Sequence, residues 1–136
     1  MAKFPEPPPV ATLAAMKPDL WTLPAGTILW RVYRRGGAYP TVWDRFRDSG
    51  SLSGRFDPRP SPTSGTGRGI SYCAVSGLTC FAETFQGTRI IDRTANAPWL
   101  VAFRLVRPVT LLDLSGTWPT RAGASMAINT GQHPRA

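Results

Sequence analysis

The chain has 136 residues, 42% of them apolar and 18% charged, which is enough for one folded domain and excludes a disordered or fibrous polypeptide. Thirteen Gly and fourteen Pro exclude long helices, coiled coils and helical repeats, because each such residue punctuates an element. No apolar run approaches the roughly 18 residues that cross a bilayer. The net charge is +8, which favours an anionic partner. All the cations except Lys3 and Lys17 are Arg, the residue suited to bidentate phosphate contacts.

In chain order, Met1–Pro9 is Pro-rich and reads as an extended arm. It has no apolar stretch of a secretory leader. Val10 to Met16 predicts a short helix before Pro18. These segments make up an arm over residues 1–26, with the main domain over 27–136. Thr27 to Arg34 predicts a strand, in which Ile28, Trp30 and Val32 alternate with Leu29, Arg31 and Tyr33. Residues 35–69 are rich in Gly, Pro and Ser and read as loop. Ile70 to Ala74 predicts a second short strand.

Ser76 is a candidate N-cap for a helix ending near Gly87. The helical period puts Leu78, Ala82 and Phe85 on one face, with Phe81 beside them. Trp99 to Val106 and Val109 to Leu114 predict two further strands. A last short helix is expected near Thr120 to Ile128. The pattern is α+β, with a small mixed or antiparallel sheet and a few short helices.

Many chemistries are poorly served. The single His, His133, has no nucleophile motif aimed at it. Cys73 and Cys80 are too few for a cysteine metal site, and a reduced, cytoplasmic chain is the expectation. Gly65-Thr-Gly-Arg-Gly69 lacks the Lys and hydroxyl of a phosphate loop and reads as flexible. Arg and aromatic residues interleave from Trp30 to Phe46, which a single-stranded nucleic acid could use. Four residues remain. They are Arg31 within a strand, Arg55 after Gly54, Tyr72 in the next strand, and Glu83, the only Glu outside the N-terminal arm.

Those residues come in a recognisable order. Trp30-Arg31-Val32 is followed by Gly54-Arg55-Phe56 with Pro58 behind it, then Tyr72-Cys73-Ala74, then Glu83 eleven residues on, and later Val109-Thr-Leu-Leu-Asp-Leu-Ser115. This order and spacing resemble the RES domain family. The resemblance implies an ADP-ribosyltransferase-like fold and the toxin of a bacterial toxin–antitoxin pair that cleaves the N-glycosidic bond of NAD. Glu83 and Arg55 are then the catalytic residues, and Arg31 and Tyr72 bind substrate. No metal or resident cofactor is implied. NAD is substrate and inorganic phosphate a co-substrate. The implied partner is a helix-turn-helix antitoxin with an acidic insert. Nucleic acid is reached only through that antitoxin, and no membrane is involved.

The residue types suit that chemistry. A carboxylate stabilises an oxocarbenium-like ribose. Guanidiniums grip a diphosphate or an attacking phosphate, and an aromatic ring stacks on nicotinamide. The family's Ser lies further downstream than Ser115 and Ser125, so the domain is expected to lack its C-terminal part. Three alternatives stand beside this reading. They are ADP-ribosyl transfer to a protein, a small basic nucleic-acid-binding module, and a non-catalytic interaction domain.

Overall fold

The computed structural model describes residues 8–46 and 69–124. The elements run α1 (Val10–Ala15), β1 (Leu20–Leu23), β2 (Ile28–Arg34), α2 (Gly77–Phe85), β3 (Pro98–Arg104), β4 (Val109–Leu112) and α3 (Trp118–Arg121). The fold is small and α+β, with two antiparallel two-stranded sheets, β1–β4 and β2–β3. Packing divides the chain into two units.

The first unit holds α1, β1, β4 and α3. Strand β1, not expected from the sequence, pairs Leu20 with Leu112 and Leu23 with Val109. Its short alternation, Leu-Trp-Thr-Leu, is weak by itself. It becomes a strand because β4 supplies matching partners, including a Thr22–Thr110 hydroxyl contact of 3.2 Å. The Asp19 carbonyl extends the ladder by accepting from Asp113 N at 2.8 Å. The Asp19 carboxylate accepts from Arg121 Nη2 at 3.0 Å through both oxygens. Both side chains are about half exposed, so the pair contributes at most about 1 kcal/mol. Pro119 is fully buried at the start of α3, where its missing N–H leaves no unmet donor.

The second unit holds β2, α2 and β3. Its register sets Trp30 opposite Ala102, Arg31 opposite Val101, and Tyr33 opposite Trp99. Cross-strand partners share a face. One face therefore carries Trp30, Val32, Leu100 and Ala102, and the other carries Arg31, Tyr33, Trp99, Val101 and Phe103. Helix α2 covers the Trp30 face. A Cβ at Gly77 would stand 3.8 Å from both Leu100 and Trp30, and the Cys80 thiol donates to the Trp30 carbonyl at 2.9 Å. The opposite face is met by residues 41–46, where Trp43 tilts against Phe103 with ring centroids 5.9 Å apart.

Several expectations are corrected. Residues 70–74 form no regular strand. Ala74 makes a single antiparallel bridge with Trp30, exchanging bonds of 2.7 and 2.9 Å. On α2, Leu78 is 79% exposed and Ala82 is also exposed. Phe81 and Phe85 do turn inward, and the rest of the inward side is built on Gly77, Cys80 and Thr84. Ser76 stands at the N-cap position but makes no side-chain cap bond. Strand β3 begins one residue before Trp99 and stops at Arg104. The last helix begins at Trp118, not Thr120.

Buried residues among those described are Leu23, Cys80, Pro119 and Ala122. A pair of two-stranded sheets with short helices has little interior, since each sheet presents two wide faces. No described helix is long and apolar enough to cross a membrane.

Candidate functional site

Arg31 sits in the middle of β2 on the face away from α2. Its Nη1 donates to the carbonyl of Arg45 at 2.7 Å and to that of Trp43 at 3.4 Å. A guanidinium has five N–H donors in a fixed fork. Among the described residues its bonds run through Nη1, and the Nε–Nη2 edge is a second pair of donors on the same group. That edge is the geometry a phosphate or diphosphate takes in two parallel bonds.

Tyr72 lies two residues before Ala74, at the edge of β2 where the Trp30 bridge forms, and is 42% exposed. Glu83 is exposed on α2, three residues past the buried Cys80. Arg55 lies outside the described residues. The arrangement therefore gathers Arg31, Tyr72 and α2 around one strand, β2. Arg31 and the helix that carries Glu83 occupy opposite faces of the ribbon, and Tyr72 belongs to the segment bridged to its edge.

Two features escaped sequence reasoning. The Arg35 guanidinium carbon lies 4.7 Å from the centroid of the Trp99 ring. The two residues are 64 positions apart in sequence, and only the register of β2 with β3 brings them together. The second feature is Cys80. Burial pushes its thiol up, and the backbone N–H of Ala74 only partly offsets that. Cys80 thus stays a neutral thiol near pH 7 and is a poor nucleophile. Its contact with Trp30 makes it a packing residue that ties α2 to β2.

The loop of residues 92–95 and the end of β4 are both held by aspartates. Asp92 Oδ1 accepts from Thr94 N, Thr94 Oγ1 and Ala95 N at 2.8–2.9 Å. Asp113 Oδ1 accepts from Ser115 Oγ at 2.6 Å and from Ser115 N at 2.8 Å. Ser115 is thus engaged in a local turn with Asp113. These bonds hold both carboxyls below the usual range, chiefly through the Ala95 N–H for Asp92 and the Ser115 hydroxyl for Asp113.

Comparison with known families decides the assignment. The RES domain profile matches residues 28–136, which takes in β2, α2, β3, β4 and all four candidate residues. The chain belongs to the RES domain family. Membership in the RES family is consistent with a NAD-acting toxin of a toxin–antitoxin pair. No curated protein and no solved structure matches the chain.

Proposed function

We propose that this RES domain cleaves the bond between nicotinamide and the ribose C1′ of NAD, and so depletes the dinucleotide as the toxin of a toxin–antitoxin pair. The observation that carries this reading is the family match over residues 28–136, which contains Arg31, Arg55, Tyr72 and Glu83 in the family's order.

In the proposed reaction the C1′–N bond breaks and its electron pair neutralises the pyridinium. Nicotinamide leaves as a neutral molecule, so no general acid is required and the lack of an internal His is no obstacle. The Glu83 carboxylate stabilises positive charge developing on the ribose. Tyr72 stacks on the leaving ring. Arg31 and Arg55 hold the diphosphate or an incoming phosphate. An oxygen of phosphate or water then bonds to C1′. With water, the extra proton is released to solvent. A cognate antitoxin would silence the domain by placing acidic side chains against these arginines.

The test is incubation of the full chain with NAD, with and without inorganic phosphate, and chromatography of the products. Nicotinamide release that requires phosphate, together with a phosphorylated ADP-ribose, is expected for phosphorolysis. ADP-ribose formed without phosphate indicates hydrolysis. NAD recovered intact in every condition overturns the reading.

A further inference from the structure

The Arg31 face of the β2–β3 ribbon carries a second constellation beyond the four family residues. Tyr33 follows Arg31 at the next position on that face, with Trp99 opposite it, about 7 Å further along the strand. Arg35 comes next, and its guanidinium stacks over the Trp99 ring at 4.7 Å. The backbone there is clamped. Arg35 N donates to the Ala97 carbonyl and Gly36 N to the Asn96 carbonyl, each at 3.0 Å. Asn96 and Ala97 both have positive φ, 60° and 45°, so the turn that presents Trp99 is held in a conformation most residues avoid. Trp99 is nevertheless 52% exposed. An indole held in place by a stacked cation, with much of its surface in solvent, is a preorganised platform for a flat ring.

Charge decides which ring. The nicotinamide of NAD is a cation, and an indole already stacked by the Arg35 guanidinium, 4.7 Å from its centroid, is a poor platform for a second cation. Adenine is neutral, and both indole and guanidinium planes stack on it. Arg31, whose guanidinium can take a diphosphate in two parallel bonds, lies on the same face. We propose that Trp99, braced by Arg35, is the stacking platform for the adenine ring of the dinucleotide, with Arg31 holding the adjoining diphosphate. The proposal rests on the NAD reading above and adds to it the residues that distinguish a dinucleotide from a nicotinamide mononucleotide. The nicotinamide end then runs toward the Tyr72 edge of β2.

The experiment is calorimetric titration of the full chain with ADP and, separately, with nicotinamide mononucleotide. The variants are Trp99→Val, which keeps strand propensity and removes the ring, and Arg35→Gln, which removes the stacked cation. Trp99→Val is expected to weaken ADP binding on the order of tenfold, and Arg35→Gln to weaken it less. Affinity for nicotinamide mononucleotide should stay within about twofold of the parent chain. Far-UV circular dichroism checks the fold. If Trp99→Val does not fold, Arg35→Gln and the milder Trp99→Phe carry the test. Unchanged ADP affinity in the folded variants overturns the proposal, as does a parent chain that does not bind ADP. Trp99-dependent binding of a single-stranded oligonucleotide without ADP binding also overturns it. Nicotinamide release by the parent chain, measured on the same samples, judges the NAD reading separately.

Discussion

Arg31 Nη1 lies 2.7 Å from the carbonyl oxygen of Arg45, so the guanidinium fastens residues 41–46 to the sheet. A mid-strand charge beside Leu29 and Tyr33 is explained by that contact. Among the described residues, the carbonyls of Trp43 and Arg45 both take up the same nitrogen.

Arg31→Lys keeps the charge but loses the planar fork. It is expected to raise the KM for NAD more than it lowers kcat. Arg31→Ala removes both carbonyl contacts as well, and is expected to lower stability by about 1–2 kcal/mol. Urea denaturation read beside NAD kinetics separates the two effects. Equal stability in Arg31→Ala and the parent chain would show that the contacts to Trp43 and Arg45 contribute little.

Glu83→Gln retains shape and removes the negative charge. Nicotinamide release is expected to fall on the order of 10²–10³-fold. The thermal midpoint should hardly move, because Glu83 is exposed. A variant that turns over NAD at the parent rate would refute the assigned role.

Gly37 has φ +87° and stands against Asn96 so closely that a Cβ would collide with that side chain. Gly37→Ala is therefore expected to cost at least about 1 kcal/mol from the backbone alone. It should also disturb the turn that presents Trp99. A drop in thermal midpoint, accompanied by weaker ADP binding, is the expected pair of readouts.

Asp92 and Asp113 make stability depend on acidity. Their folded carboxyls titrate below the unfolded value, which is near about 3.9. A depressed folded pKa means that the unfolded chain binds more protons in this range, so stability rises with pH. The stabilisation is complete above the unfolded pKa and is lost as pH falls from about 4 through the folded values. Urea midpoints measured from pH 6 to pH 2.5 should decline at the acid end, and Asp92→Asn with Asp113→Asn should flatten that decline.

Trp118 Nε1 is buried without a hydrogen-bond partner among the described residues. An unmet buried donor costs about 1–3 kcal/mol. Trp118→Phe removes the donor and keeps an aromatic ring, so its thermal midpoint is expected to equal or exceed that of the parent chain. A fall of several degrees would mean that the indole N–H has a partner after all.

Local pattern determined a good deal of this protein. The alternation around Trp30 and Val32 specifies β2, Pro18 ends the region of α1, and the Ser76–Gly87 interval specifies α2 to within two residues at either end. The order of Arg31, Arg55, Tyr72 and Glu83 was enough to indicate the RES family. These are features of neighbours in sequence, where φ/ψ preference and periodicity act directly. Tertiary structure decided the rest. Leu20–Leu23 became a strand only through Val109–Leu112, a partner nearly ninety residues away, and short-range propensity carries no information about such a pairing. The face of α2 that turns inward was set by its contact with β2, where the Cys80 thiol meets the Trp30 carbonyl, and Leu78 was left exposed. Arg35 met Trp99 because the β2–β3 register placed them on one face, and a shift of one residue would have sent Trp99 to the other.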